Sequence, residues 1–186
     1  MRKLIVTEFV SLDGVMEAPG GESGYIHTGW VADFFTDELG EYKFREQDAS
    51  DTLLLGRRTY ESFHGAWPER DGPMAEKINT MEKVVVSTTL GASDWQNTRV
   101  ITSPTPEAIR ELKEQDGGPI LVAGSRTLVH ALLADGQVDE LHLQVFPLVL
   151  GSGLRLYPET DEKLELELVE SRPLPNGVLL QTYRPA

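Results

Sequence analysis

The chain contains no cysteine, which excludes disulfides, thiolate chemistry and cysteine-ligated zinc. Positive charge is scarce: 17 Lys and Arg stand against 30 Asp and Glu, a formal net charge of −13. That balance argues against a sequence-independent grip on nucleic acid and against attraction to anionic membrane surfaces. An anionic ligand must be held by a local positive cluster, because the overall field opposes it. No apolar run approaches the length of a bilayer span. The basic-then-apolar start, MRKLIVTEFV, is interrupted by Glu8 and is followed by no small-residue cleavage site, so it reads as a first strand rather than a signal peptide. Lacking cysteine and a targeting segment, the chain is expected in the cytoplasm. The four histidines, His27, His64, His130 and His142, are scattered and give no support for a metal site.

What is present suits one folded domain over residues 1–186: 40% hydrophobic, 25% charged, with no repeat, low-complexity tract or linker. Leu4 to Val10 is apolar and β-rich, and Ser11-Leu12-Asp13-Gly14 ends it in a turn. Ala18 to Gly24 reads as an exposed loop. A helix is expected around Val31 to Glu46, with Phe34, Phe35, Leu39 and Tyr42 on its apolar face. Asp51 to Leu55 is a strand leading through Gly56 into a helical segment that begins Arg57-Arg58-Thr59. His64 to Pro73 reads as loop. Short strands are expected at Lys83 to Val86 and Arg99 to Ile101. Pro104 to Glu114 reads as a helix with Thr105 as its N-cap and Pro106 at its first position.

The stretch Gly117 to Leu133, GGPILVAGSRTLVHALL, organises the chain. Pro119 to Ala123 is a short buried strand. Gly124 turns it, and Ser125 is a plausible N-cap for a helix that buries Leu128, Val129, Leu132 and Leu133. Glu140 to Phe146 alternates as an antiparallel strand with one face less buried, and Pro147 to Pro158 is a Gly-rich loop. Leu164, Leu166 and Leu168 alternate with Glu165 and Glu167. Val178 to Tyr183 follows the Asn176-Gly177 turn, and these last two strands should pair antiparallel. Strands and helices alternate first, then strands follow alone. That order predicts a mostly parallel sheet with helices on both faces and an antiparallel C-terminal edge.

Three strand ends carry related chemistry: Gly56-Arg57-Arg58-Thr59, Ser87-Thr88 and Gly124-Ser125-Arg126-Thr127. In a parallel sheet they share one edge, where ligands bind. A helix N-terminus offers unpaired amides and a favourable dipole to an anion, and glycine lets a phosphate approach the backbone. Arginine adds a fork of donors. No carboxylate ends the Val84–Val86 strand to grip a free ribose hydroxyl. Ser87 and Thr88 stand there instead, which favours a dinucleotide carrying an extra 2′-phosphate.

With these residues in view, the chain resembles dihydrofolate reductase, and more closely the reductase domain of bacterial riboflavin biosynthesis and its small stand-alone relatives. The resemblance covers nearly the whole chain. It rests on the first strand with Ser11-Leu12-Asp13-Gly14, on LLLGRRTYESF, VVVSTT and ILVAGSRTL, and on DELHLQVFPLVLGSG. It implies a three-layer α/β fold and an NADPH-dependent reductase. Arg57, Arg58 and Thr59 match the phosphate-contacting segment, with Gly56 at its start. Ser87 and Thr88 match the contacts to the 2′-phosphate, and Ala123 to Thr127 the turn near the pyrophosphate. The family often has two adjacent glycines where this chain has Ala123-Gly124. Val6 and Thr7 would border the nicotinamide and the substrate. For the proton source, Asp33 aligns with the substrate-binding acid of dihydrofolate reductase, and Asp13 is its rival. Arg155 is the candidate for a substrate phosphate.

The riboflavin-pathway deaminase needs a cysteine pair and a His-x-Glu motif, so no deaminase is expected here. The resemblance implies hydride transfer to a small heterocyclic or sugar-like substrate, with the riboflavin-pathway pyrimidine foremost, and a homodimer. The alternatives are dihydrofolate-reductase-like activity on a pteridine, or a nucleotide-binding or sensor protein without turnover.

Overall fold

The computed structural model describes residues 1–103 and 105–186. In chain order the elements are β1 (Leu4–Ser11), α1 (Asp37–Asp48), β2 (Thr52–Gly56), α2 (Arg57–Ala66), α3 (Pro73–Thr80), β3 (Glu82–Val86), β4 (Thr98–Ile101), α4 (Pro106–Glu114), β5 (Ile120–Val122), α5 (Arg126–Ala134), β6 (Glu140–Phe146), β7 (Leu166–Pro173) and β8 (Leu179–Pro185). The strands form one sheet in the order β4-β3-β2-β5-β1-β6-β8-β7. The first six run parallel, and β8 and β7 return antiparallel. This is the expected architecture, except that β6, read as an antiparallel strand, pairs parallel with β1 on one side and antiparallel with β8 on the other. Parallel strands are buried on both faces, and β1, β2 and β5 are accordingly apolar through most of their length.

Alternation along the strands divides the core. Leu4, Val6, Leu54, Val84 and Val122 face α4 and α5 through Ile109, Leu112, Leu128, Val129 and Leu132. Ile5, Leu53, Leu55, Val85 and Leu121 face the other way, toward Tyr60 of α2 and Ile78 of α3. A third cluster joins Leu39 of α1 to Trp30, Phe146 and Leu180.

Some boundaries differ from the sequence reading. The helix expected from Val31 is a short 3-10 turn, Ala32–Phe34, followed by α1. The break falls at Thr36, which is extended and accepts a hydrogen bond from the Leu39 amide at 3.3 Å, a side-chain cap that restarts the helix. The stretch read as loop after His64 is partly helical: α2 runs on to Ala66, and α3 begins at Pro73 and buries Ala75 and Ile78. The buried Lys83 ammonium then caps α3 by donating to the carbonyls of Ile78, Asn79 and Met81. Thr105 caps α4 as expected, accepting from the Ala108 amide at 3.2 Å. Pro104, the first residue of the expected helix, lies outside the described residues. β7 begins two residues after Leu164 and is mostly exposed as the sheet's edge.

Candidate active site at the strand ends

β3, β2 and β5 are neighbours in the sheet, so the three chemically related strand ends lie side by side at its C-terminal edge. β2 feeds α2 and β5 feeds α5, on opposite faces, and their N-caps meet. A Cβ on Gly56 would stand 1.9 Å from Ser125 Oγ, and one on Gly124 would stand 2.8 Å from Thr59 Oγ1. Gly124 also has φ +78°, a conformation that favours glycine. The Gly56 amide donates to the Gly124 carbonyl at 3.3 Å. Neither Gly56 nor Ser125 closes its helix with a side-chain hydrogen bond. Two helix N-termini thus present amides together.

The basic residues surround this cradle. Arg57 is held by Glu61 at 2.7 Å and reaches the Thr89 hydroxyl, which bridges the start of α2 to the turn after β3. Arg58 is exposed and has no hydrogen-bond or ion-pair partner among the described residues. Arg126 donates from Nε to the Arg155 carbonyl at 3.0 Å, and Thr127 is exposed beside it. Ser87 is buried and its hydroxyl accepts from the Thr89 and Leu90 amides at 3.2 and 2.9 Å, so it shapes its own turn. Thr88 is exposed at that turn. Thr89, which the sequence reading did not single out, is the residue that Arg57 contacts.

Asp13 and Arg155 come together but are occupied. Asp13 accepts from the Ser11 hydroxyl at 2.7 Å and from the Leu150 and Gly151 amides at 3.1 and 2.9 Å. These donors, the Ser11 hydroxyl foremost, hold its pKa down to about 2. Such a carboxylate stays ionised at neutral pH and has no proton to give. Arg155 donates to the Asp13 carbonyl and lies 3.7 Å from its carboxylate, which ties the 147–158 loop to the turn after β1. Asp33 is exposed on the 3-10 turn Ala32–Phe34.

The structure also brings forward Glu8, which in the sequence only interrupted an apolar run. Glu8 is 8% exposed, and its Oε1 has no hydrogen-bond partner among the described residues. Burial pushes its pKa up to about 8, against the opposing effects of the Lys43 charge and the Gly124 amide. Its surroundings follow from unequal strand lengths. β1 pairs with β6 from Ile5 to Ser11 but with β5 only from Leu4 to Val6. After Val122 the chain leans toward β2, as the Gly56–Gly124 and Gly56–Ser125 contacts require. That leaves a notch in the strand pairing along the second half of β1, where the turn into α5 approaches and the Gly124 amide reaches Glu8.

On the opposite face of β1, Thr7 belongs to a closed polar network. Lys43 Nζ donates to Thr7 Oγ1 at 2.5 Å and to Glu46 Oε2 at 2.6 Å, and His142 Nδ1 is 2.6 Å from Glu46 Oε1. Burial alone would raise the Glu46 pKa, but Lys43 and His142 hold it at about 2. Burial disfavours the His142 imidazolium, yet Glu46 and Glu140 outweigh it and raise its pKa. Among the described residues no cluster has the makings of a metal site.

The chain is 28% identical to YyaP, an uncharacterized protein of Bacillus subtilis, over 98% of this chain and 94% of that one. A Shewanella protein assigned to riboflavin biosynthesis superposes with a TM-score of 0.77 at 19% identity, covering 99% of both chains. The deaminase/5-amino-6-(5-phosphoribosylamino)uracil reductase of Thermotoga maritima gives 0.68 at 16% identity, with all of this chain matching 57% of that one. Dihydrofolate reductase of Enterococcus faecalis, complexed with NADP(H), gives 0.65 at 18% identity over 98% of this chain and 96% of that one. At these identities the solved structures establish a shared fold. Residues 2–180 match the RibD C-terminal domain, and the chain belongs to that family.

Proposed function

We propose that the protein is an NADPH-dependent reductase that transfers hydride to a small heterocyclic or sugar-like substrate, with 5-amino-6-(5-phosphoribosylamino)uracil as the first candidate. The observation that carries this reading is the pair of helix N-termini, α2 and α5, meeting without side-chain caps at the ends of β2 and β5 with Arg57, Arg58 and Arg126 around them. Two such termini suit a pyrophosphate, and the arginines supply the local positive charge that a chain of net −13 needs to hold it. Arg57 and Arg58, with the Ser87–Thr89 turn, are the groups for the 2′-phosphate. The notch beside β1 suits the nicotinamide, whose role when bound is to supply the hydride. Family membership and the NADP(H) held by the E. faecalis enzyme of the same fold support the choice of cofactor.

This chain's own residues then position the site. Asp13 and Arg155 tie the 147–158 loop to the turn after β1, at the end of the strand where the cofactor would bind. The test is tryptophan fluorescence titrated with NADPH and with NADH, followed by cofactor oxidation across carbonyl, pteridine and pyrimidine substrates. The reading expects NADPH to bind much more tightly than NADH and at least one substrate to be reduced. Binding without oxidation throughout would favour a nucleotide-binding protein. Binding of neither cofactor would overturn the reading.

The same reading includes a homodimer, supported by the exposed Leu168 and Val169 on edge strand β7. Sedimentation velocity showing only monomer would remove it. A cytoplasmic location remains part of the reading, and no helix among the described residues is long and apolar enough to cross a membrane.

A further inference from the structure

We propose that the Glu8 carboxyl is the acid that supplies the proton in this reduction, from its place on β1 at the floor of the notch beside α5. The inference rests on the reductase reading above and adds the group that completes its chemistry. A hydride delivered to the carbon of a C=O or C=N bond brings two electrons. The π pair moves to the heteroatom, which takes the proton from Glu8 and becomes an alcohol or amine. What remains is the Glu8 carboxylate beside the positively charged ring of the oxidised cofactor, and Glu8 recovers its proton from water.

Three observations place Glu8 in that role. It lies on the stretch of β1 that β5 leaves unpaired, next to Gly124 at the turn into α5. It is nine-tenths buried and its Oε1 has no partner among the described residues, an unsatisfied oxygen beside the turn into α5. A proton donor must also hold its proton at working pH, and of the three carboxyls considered Glu8 meets that demand. With a pKa near 8 it is mostly protonated at neutral pH, whereas Asp13 is ionised and Asp33 is exposed on the 3-10 turn. Its packing neighbours are apolar. β6 offers Leu143 at the paired position, and α4 and α5 present Ile109, Leu112, Leu128, Val129 and Leu132 to this face. The charge that acts on Glu8 is Lys43 of α1, whose ammonium is already bound to Glu46 and Thr7.

The test needs no known substrate. An ionised Glu8 pairs with the positive ring of NADP+ but gains nothing from neutral NADPH. NADP+ binding should therefore expel the Glu8 proton and NADPH binding should not. Calorimetric titrations at about pH 7 in two buffers of different ionisation enthalpy count the protons released. The 2′-phosphate is common to both cofactors, so its own proton cancels in the difference. The wild type should release most of one proton more with NADP+ than with NADPH. Its NADP+ affinity should rise up to about tenfold per pH unit below pH 8, relative to NADPH. In Glu8→Gln both differences should vanish while NADPH affinity stays within a few-fold. A carbon-13 titration of wild-type glutamate carboxyls, with and without NADP+, reads the same shift should Glu8→Gln not fold. If both cofactors bind with no difference in proton release, Glu8 is not the acid and the reductase reading stands. If neither binds, both fall.

Discussion

Replacing Glu8 with Gln should stabilise the protein at neutral and alkaline pH, and the gain should fade in mild acid. The folded-state pKa of about 8 lies above the ordinary value of 4.5. Between those values the folded chain keeps a proton that the unfolded chain has released, so folding stability falls as pH rises through this window and levels off above pH 8. At about 1.4 kcal/mol per pH unit, the wild type loses roughly 3 kcal/mol by pH 7 and roughly 5 by pH 9. Gln has nearly the same shape, keeps an oxygen for the Gly124 amide and does not titrate. In acid, where wild-type Glu8 is also neutral, the two proteins should differ by no more than about 1 kcal/mol, the worth of one exchanged hydrogen bond. Denaturant unfolding followed by tryptophan fluorescence at about pH 5, 7 and 9 gives the difference directly. Comparing variant with wild type removes the contributions of His142, Glu46 and the other groups common to both. A constant difference across this range would show that Glu8 is solvated and ionised in the folded chain, and the account of the notch would fail with it.

Arg58→Ala should weaken NADPH about tenfold or more and NADH far less, because a lost charge-assisted contact to a phosphate is worth roughly 1.5–3 kcal/mol. Equal loss for both cofactors in the fluorescence titration would refute the 2′-phosphate assignment, and Arg57→Ala tests the same contact with Glu61 freed as well. Gly56→Ala should cost about 2 kcal/mol or more, since its Cβ would stand 1.9 Å from Ser125 Oγ. Adding Ser125→Gly should recover most of that cost in denaturant melts, and simple additivity of the two changes would refute the contact. His142→Gln should cost about 1–3 kcal/mol near pH 6 through the lost charge-assisted bond to Glu46. Because the folded-state pKa of His142 is raised, that stability is complete below its ordinary value of 6.5 and drains as pH rises through the folded value. A cost that grows with pH would contradict the sign.

The sheet was legible because burial on both faces leaves short uninterrupted apolar runs, and Leu53 to Leu55, Val84 to Val86 and Ile120 to Val122 are such runs. Their common edge followed from the parallel reading, and the order β3-β2-β5 puts the three clusters side by side as that reading required. Other features depend on distances along the chain that no local pattern encodes. The Glu46–His142 pair spans 96 positions, and the saturation of Asp13 comes from Leu150 and Gly151, well over a hundred residues away. α3 escaped notice because the glycine and proline at 72 and 73 read as loop, although proline at a first helical position is a start signal.

Glu8 shows the deepest of these limits. Thr7 and Glu8 are adjacent polar residues in one apolar strand, and strand geometry sends them to opposite faces. Thr7 lands on the face of α1, where Lys43 and Glu46 already form a buried pair at 2.6 Å that takes it in. Glu8 lands on the face of α5, among aliphatic side chains. Lys43, whose charge acts on Glu8, is bound to Glu46 at 2.6 Å, so it is shared and burial keeps the Glu8 proton on. A carboxyl placed this way is a cost to folding wherever the unfolded chain would ionise it. The Gly124 amide and the Lys43 charge offset that cost only in part, and Oε1 remains unpartnered among the described residues. An unpaired buried acid beside two open helix N-termini is strain held at one place in an otherwise well-satisfied core, and a site that must deliver a proton is where such strain has a use.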